Sequence, residues 1–262
     1  MHGSFATARV LAILVALLLG APIARADLTA VEIGIGGWSA DPSGDVAFDG
    51  DMIDLADDLN LDRATNAMAT LTLDHPVPGL PDVRLNYTTL TLDGRSTLNR
   101  PIEFGDQLFI GGEEVATEAD FDTIDLVVYY GLPVPVVALD VGVAARWFDG
   151  AVELRSVDSG ISETAELTGV VPLGYARAEL PLPFGFGAEG EVTGLSVGDN
   201  KVLDYQLALR YELTAAFIAR ATLGARLGYR VQDYDLDDID DLEAAVEFDG
   251  AFAMVYFRAS LF

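Results

Sequence analysis

From Leu28 onward, apolar and polar residues alternate along most of the chain, and turn residues interrupt the alternation at regular intervals. A period of two is typical of β-strands, whose successive side chains point to opposite faces. The β-branched and aromatic residues at the apolar positions favour the same structure. The pattern predicts ten strands, at 28–39, 66–75, 82–93, 119–132, 135–148, 163–180, 183–197, 201–213, 217–233 and 247–262.

The connections between these strands are of two alternating kinds. Short turns, most of them rich in proline, occupy 75–81, 131–135, 180–183 and 214–216. The other connections are mostly longer and acidic, and occupy 39–65, 94–118, 149–162, 198–200 and 234–246. Short periplasmic turns and long extracellular loops are typical of bacterial outer-membrane barrels. The sequence therefore predicts an all-β fold, a transmembrane antiparallel up-and-down β-barrel of about ten strands, with both termini in the periplasm.

The clearest strands also predict which side chains face lipid. In 201–213 one face is apolar and consists of Leu203, Tyr205, Leu207, Leu209, Tyr211 and Leu213. The other face carries Asp204, Gln206, Arg210 and Glu212. A soluble β-sandwich has the same period but keeps one face of each sheet in water. The apolar faces here are free of charge along their whole length, which favours the membrane barrel.

Two predicted strands change phase. The apolar face of 163–180 switches near Pro172, and that of 82–93 switches after Thr89. A β-bulge adds one residue to a strand and reverses the faces beyond it. We therefore expect a bulge, or a misplaced strand boundary, in each of these two strands.

The first 26 residues have the composition of a secretory signal peptide. Arg9 precedes an apolar run at 10–20, and Ala24-Arg25-Ala26 places small residues at the cleavage positions. The apolar run is much shorter than the roughly 20 residues of a membrane-spanning helix. We therefore expect 1–26 to be removed on export and 27–262 to form a single outer-membrane β-barrel domain.

The composition adds one feature to this prediction, a large excess of acidic residues. The chain has 15 Lys and Arg against 42 Asp and Glu, and removal of 1–26 takes away two arginines, so that 13 − 42 = −29. Such a charge disfavours nucleic acid as a partner. A chain that is 51% hydrophobic and 22% charged suits a barrel, with apolar side chains toward lipid and charges in the lumen and loops. Without cysteine, no disulfide forms.

The polar faces of the strands predict a charged lumen. The arginines assigned to it are Arg84, Arg146, Arg177, Arg210, Arg220, Arg226, Arg230 and Arg258. The carboxylates assigned to it are Glu32, Asp74, Asp125, Asp140, Glu179, Glu189, Glu191, Asp204 and Glu212. Buried charges are costly unless they are paired, and a guanidinium binds a carboxylate through two hydrogen bonds. These residues predict a lumen charge network that closes a narrow bore, and the alternative is a narrow channel or a small-solute or ion-binding pocket.

The segment 233–249 carries nine carboxylates and no basic residue. Carboxylate oxygens bind calcium, although this segment lacks the EF-hand pattern. We interpret the segment as a solvated acidic loop, and keep as the alternative a divalent-cation site, for Ca²⁺ or for bridging to lipopolysaccharide phosphates. The candidate metal ligands are Asp235, Asp237, Asp238, Asp240 and Asp241.

The first long connection, 41–62, contains apolar residues at near-helical spacing. These residues predict a short helix at the mouth of the barrel. They are Met52, Ile53, Leu55 and Leu59.

The shortage of histidine disfavours catalysis. After removal of 1–26 the remaining histidine is His75, which precedes Pro76 in a short turn predicted to be periplasmic. Hydrolases built on such barrels generally use a histidine near the outer rim, because histidine is the base suited to neutral pH. No cysteine or nucleophile elbow offers another route. We therefore expect no enzyme activity and no cofactor.

Several short segments resemble a known family. They are GIGGW at 34–38, DPSGD at 41–45, DLNLD at 58–62, LDHPVPGLPDVRLNYT at 73–88 and DLDDIDD at 235–241. Together they resemble a family of small Gram-negative outer-membrane β-barrel proteins marked by a Gly-Gly in the first strand. The resemblance implies an outer-membrane barrel, and assigns no function, catalytic residue or ligand.

The predicted closing strand, 247–262, allows two phases. A lipid-facing arginine at mid-membrane costs about 2–4 kcal/mol, so we prefer the phase that turns Arg258 into the lumen and Val255 and Phe257 outward.

We expect a monomeric, non-enzymatic protein with a structural or envelope-integrity role. Its expected partners are outer-membrane lipid, lipopolysaccharide and, through the closing strand, the barrel-assembly machinery.

Overall fold

The computed structural model describes residues 29–77, 79–214, 221–239 and 242–260. The predicted signal peptide, 1–26, lies outside these residues. The strands are β1 (Ala30–Phe48), β2 (Ile53–Asp54), β3 (Ala64–Asp74), β4 (Asp82–Thr88), β5 (Thr91–Thr97), β6 (Ile102–Phe104), β7 (Gln107–Phe109), β8 (Glu114–Leu132), β9 (Ala138–Ser156), β10 (Ser162–Pro181), β11 (Phe186–Val197), β12 (Asn200–Thr214), β13 (Ala221–Ile239) and β14 (Leu242–Ser260). A single 3-10 turn, Pro183–Gly185, joins β10 to β11.

Ten wall positions form a closed antiparallel barrel. The order is β1, β3, β4 with β5, then β8 to β14, and β14 pairs with β1 to close the ring. β4 and β5 share one position because both pair with β8 in the same register, with Thr88 opposite Thr123 and Thr91 opposite Asp120. The predicted ten-stranded transmembrane-type barrel is therefore confirmed. We call the end with the turns at 75–81, 133–137 and 182–185 the inner end, and the opposite end the outer end.

The outward faces of the wall are apolar, as the alternation predicted. Leu207 on β12 and Leu227 on β13 are 66% and 64% exposed, whereas Asp204 and Arg226 on the inward faces of the same strands are buried. β14 adopts the preferred phase, because Val255 is exposed while its neighbours Met254 and Tyr256 are buried in the lumen. The last two residues, 261 and 262, lie outside the described part of the chain.

The strands run further toward the outer end than predicted. β1 continues to Phe48 because its acidic and proline-containing stretch pairs with β14, with Asp41 opposite Asp249 and Pro42 opposite Phe248. β8 and β9 are also longer at this end. The described residues of the segment 233–249, predicted as a loop, belong to β13 and β14. Acidic residues misled the prediction because they occupy strand positions that extend beyond the apolar band.

The predicted helix at the barrel mouth is wrong. β2 pairs with β1, and a single helical turn follows, in which the Asp58 and Leu59 N–H groups donate to the Asp54 carbonyl at 3.1 and 3.2 Å. The Asp54 carboxylate accepts from the Ala56 N–H at 2.8 Å and ends the strand. Of the four apolar residues, three are buried and Met52 is exposed. Pairing with β1 leaves room for one turn rather than a helix.

Neither predicted bulge is present. β9 and β10 keep one register from Ser162 to Glu179, and β4 and β5 keep one register on β8 across the break at Thr89. The apparent phase changes have another cause, because the inward face of β10 becomes apolar toward the outer end, with Val171 partly buried and Leu173 buried. The faces stay constant while the lumen changes character.

An apolar cap lies on the outer end. β5, β6, β7 and the residues around β2 bring together buried side chains of the two long segments. They are Ile53, Leu59, Leu92, Leu98, Ile102, Phe104 and Phe109. The segment 94–118, predicted as a loop, is therefore a packed structure. Within the ranges described, no helix has the length and apolar character needed to cross a membrane.

Candidate functional site

The inner half of the lumen contains a network of ion pairs. We call it the lumen network, and define it by seven arginines and nine carboxylates that contact one another across the bore. The arginines are Arg84, Arg146, Arg177, Arg210, Arg226, Arg230 and Arg258, and the carboxylates are Glu32, Asp74, Asp125, Asp140, Glu179, Glu189, Glu191, Asp204 and Glu212. Their formal sum, 7 − 9 = −2, is small beside the −27 of the whole chain.

Arg146 on β9 is the centre of the network. Its side chain has no exposed surface. Its Nε and Nη2 donate to the two carboxylate oxygens of Asp125 at 2.6 and 2.7 Å, and Nη2 also donates to Asp204 at 2.6 Å. Nη1 donates to the hydroxyl of Tyr234 at 3.2 Å. One guanidinium thus links β8, β9, β12 and β13 across the bore.

Asp204 is the most heavily bonded carboxylate of this central layer. Besides Arg146, it accepts from Arg230 at 3.0 and 2.7 Å and from the Gln232 amide at 3.0 Å. The remaining Arg230 nitrogen, Nη1, donates to the Thr88 hydroxyl at 2.9 Å. Two arginines on one carboxylate are stable here because each has further partners.

A second layer lies nearer the inner end. Arg226 donates to Glu32 at 2.6 Å and to Glu189 at 3.2 Å, and so spans from β13 to β1 and β11. Arg177 donates to the same oxygen of Glu189 at 3.0 Å. Arg84 pairs with Glu191. These contacts join opposite walls of the barrel, so the layer crosses the lumen instead of lining it.

The network ends in a rim of partly exposed pairs. Arg258 donates to Asp74 at 2.7 Å and lies 3.6 Å from Glu32. Arg210 donates to Glu179 at 2.5 Å and lies 3.5 Å from Glu212. Asp140 completes the rim, 3.6 Å from Arg177. The described lumen network is therefore paired down to this rim.

Most of the lumen residues assigned from the sequence meet in this network. Seven of the eight assigned arginines and all nine assigned carboxylates take part, among them Arg146, Arg210, Arg226, Arg230, Arg258, Asp140, Glu189, Glu191, Asp204 and Glu212. Arg220 lies outside the described residues. Between the layers, a cavity of about 30 Å³ touches Arg84, Asp125 and Glu189. That volume holds one or two water molecules.

The candidate metal ligands are not brought together by the described part of the hairpin. Asp235 and Asp237 occupy exposed positions on β13. Asp240 and Asp241 lie outside the described residues, as does the side chain of Asp238. Among the residues that are described, no three His, Cys, Asp or Glu side chains form a cluster suited to a metal ion. The calcium site remains a prediction.

The outer half of the lumen is apolar, which the sequence analysis missed. A cavity of about 300 Å³ lies between the lumen network and the cap. Its lining is mainly hydrophobic and includes Val46, Leu90, Phe121, Phe148, Val171, Val202, Tyr234 and Phe248. We call it the outer pocket. The apolar residues on the inward face of β10 could have predicted this pocket. Because the lumen was expected to be polar throughout, these residues were assigned to the lipid face, and the strand was then predicted to change phase.

His75 is part of the turn between β3 and β4. Its Nε2 lies 2.9 Å from the Pro81 carbonyl, its Nδ1 accepts from the Val77 N–H at 3.2 Å, and its own N–H donates to Asp82 at 2.9 Å. Both ring nitrogens therefore serve the turn.

Fold and lumen together define a transmembrane β-barrel protein. No protein-family model and no curated protein matches the chain. Among solved structures it is similar to the outer membrane protease OmpT of Escherichia coli, at 9% identity over 90% of this chain and 97% of that one, with a TM-score of 0.44. An outer membrane channel of Pseudomonas putida F1 has 10% identity over 88% and 94%, with a TM-score of 0.40.

The attachment invasion locus protein Ail of Yersinia pestis has 12% identity over 86% of this chain and 97% of that one, with a TM-score of 0.33. Likenesses of this degree identify neither a family nor an activity. The resemblance to barrels with a Gly-Gly in the first strand therefore stays a prediction.

Proposed function

We propose that this chain is an integral protein of the bacterial outer membrane whose barrel is closed to ions and hydrophilic solutes, with a structural role in envelope integrity. The apolar outward faces support membrane insertion, because exposed leucines such as Leu207 and Leu227 need lipid around them. The protein is a monomer in lipid and lipopolysaccharide, inserted by the barrel-assembly machinery through β14.

The observation that carries the closure is that every carboxylate of the lumen network is paired with an arginine. Each of its nine carboxylates lies within 4 Å of an arginine nitrogen of the network. A hydrated ion passing through the central layer has to separate Arg146 from Asp125 and Asp204. Breaking a buried pair leaves an uncompensated charge, which costs about 3–5 kcal/mol.

The same contacts support a non-enzymatic role. A carboxylate that acts as a general base needs a free lone pair and access to substrate. The lumen carboxylates are directed at guanidinium groups instead, and His75 is bonded within its turn. Neither group is placed to take a proton from a substrate.

Conductance in planar bilayers tests the closure. We expect the wild-type protein to give low or no steady current, because the ion pairs fill the bore. Large, stable open-channel steps would instead establish the alternative, a narrow channel. Insertion is checked in the same membranes by protection of the barrel from protease.

A double variant provides the positive control. Arg146→Ala with Arg230→Ala removes both guanidinium groups of the central layer and leaves Asp125 and Asp204 without these partners. Rings of carboxylates in a pore select cations. Because the second layer still crosses the bore, we expect at most brief, small cation-selective steps from this variant, and none from Arg95→Ala, whose side chain lies exposed outside the lumen.

A further inference from the structure

The barrel wall has a gap beside β10. β10 pairs with β9 along almost its whole length, from Ser162 to Glu179. Its pairing with β11 covers only the inner part and ends at Gly174 opposite Gly194. In the described chain no strand pairs with this edge of β10 over 162–173, although β11 continues to Val197.

The sequence explains where the pairing ends. The next outward-facing pair of the ladder would join Pro172 to Ser196, and proline has no N–H to donate. Proline inside a strand is therefore found at sheet edges. The hairpin of β11 and β12 also turns early, at 198–199, whereas β10 and β13 run on toward the outer end. Between β10 and β13 the wall therefore ends closer to the inner end of the barrel than it does elsewhere.

The gap begins within the lipid-facing band. Trp147 is opposite Val170, and both side chains are exposed on the outward face. Aromatic side chains typically mark the border of the apolar band. From Gly174 to Val170 the unpaired edge covers four residues, roughly 13 Å of strand. Sheet edges exposed to hydrocarbon are normally avoided, so this gap is unusual for a purely structural barrel.

The gap is continuous with the outer pocket. Residues 165–171 of β10, at inward and outward positions alike, line the pocket. A Cβ added at Gly169, an inward position, meets no heavy atom of the described chain within 4 Å. On the other side of the gap, Leu195 and Val197 occupy inward positions of β11 and yet are 39% and 62% exposed. An apolar path thus leads from the lipid band into the lumen.

The chemistry of the pocket selects its occupant. Its volume of about 300 Å³ is twice that of the ~150 Å³ apolar cavity that stays dry and takes up benzene. The polar groups at its floor, Tyr234 and Gln232, already bond to Arg146 and Asp204. Of the described lining residues, Glu166 is the charged one, and it disfavours an anionic group at the mouth.

We propose that the outer pocket binds an uncharged hydrocarbon chain, which enters sideways from the outer leaflet through the gap between β10 and β11. The chain covers the unpaired edge of β10 with apolar surface and fills the space above the lumen network. The inference requires membrane insertion, but it does not require that the inner half be closed to ions.

Photolabelling in lipid vesicles tests the proposal. One arm uses phosphatidylcholine with a diazirine on an acyl chain, and the other uses unlabelled vesicles with a free medium-chain alkyl diazirine. Tandem mass spectrometry then locates the labels. Adjacent residues report opposite faces, because Trp147 is exposed on the outward face and Phe148 lines the pocket.

We expect label on Phe148, Val171 and Phe248 in addition to the lipid-facing Trp147. Pocket label in the first arm identifies a lipid acyl chain as the occupant, and pocket label in the second arm alone identifies a free hydrocarbon. Label confined in both arms to Trp147 and other outward residues that do not line the pocket would overturn the proposal.

Two glycine variants of β10 separate filling of the pocket from a general effect on the strand. Gly169→Leu places its side chain in the pocket and should reduce label on Val171 and Phe248 severalfold. Gly174→Leu points to lipid, where an added Cβ has ordinary contacts, and should leave the pocket label unchanged. Equal pocket labelling of the two variants contradicts binding in this site. The labelling of the wild-type protein tests the proposal without the variants, so the test remains valid if either variant folds poorly.

Discussion

The inner and outer halves of the lumen share one wall and differ in everything that fills it. In the inner half, seven arginines and nine carboxylates cross the bore and leave a cavity of about 30 Å³. In the outer half, phenylalanine, leucine and valine side chains surround about 300 Å³. The same strands, β9, β10, β12 and β13, contribute to both halves. The lipid fixes only the outward positions, so the inward positions of one strand can specify two different interiors.

The two halves also tolerate change differently. A buried charge depends on the position of its partner, whereas an apolar side chain beside a cavity loses little when a neighbour moves. We therefore expect the inner half to be rigid and sensitive to substitution, and the outer half to be permissive.

The largest effect is expected for Arg146→Met, which keeps the volume and removes the charge. Asp125 loses both of its hydrogen bonds with Arg146, and Asp204 loses one of its two arginines. We expect the free energy of unfolding to fall by about 3–5 kcal/mol, measured by urea titration in lipid vesicles.

The control for this variant is Arg95→Met, which breaks a pair with Glu114 in which both side chains are well exposed. We expect its free energy of unfolding to stay within about 0.5 kcal/mol of wild type. A small loss for Arg146→Met, comparable to that of the control, would show that the lumen network is hydrated and contributes little to stability.

A smaller effect comes from adding one methyl group to each half. At Gly34 in the inner half, a Cβ meets Thr70 Oγ1 at 2.6 Å and Met254 Sδ at 2.8 Å, so Gly34→Ala should cost about 1–3 kcal/mol. At Gly169 the space is open, and Gly169→Ala should stabilise by about 0.4–1 kcal/mol through the unfolded chain. Unfolding of both variants by urea gives the comparison, and equal destabilisation would contradict the difference between the halves.

Much of the fold could be predicted because lipid imposes a strict rule on the outward face. Ten strands, their order and the phase of β14 followed from alternation and turn residues. The outer ends of β1, β8 and β14 could not be predicted in the same way. They extend beyond the lipid-facing band, where acidic residues and Pro42 are compatible with pairing, so the pattern that marks a membrane strand is missing there.

The residues of the lumen also divide into those that the sequence could assign and those that it could not. Charged inward residues such as Arg146 and Asp204 could be assigned from parity, because a charge on a membrane strand has to face the lumen. Leu167 and Val171 could not be assigned, since an apolar residue is equally compatible with lipid and with an apolar pocket. The register between β9 and β10 shows that Leu167 and Val171 face the lumen, and this register is known only from the structure.

The accessibility of single cysteines in this cysteine-free chain tests most directly whether the inner half of the lumen is closed. Ala208→Cys places a thiol in the lumen at the level of the lumen network, where residue 208 is opposite Glu189. Lys201→Cys places a thiol at the exposed outer end of β12. A charged, membrane-impermeant thiol reagent is applied from each side of the membrane. We predict labelling of Lys201→Cys and none of Ala208→Cys from either side. Rapid labelling of Ala208→Cys would contradict a closed inner half and establish an aqueous path through the barrel.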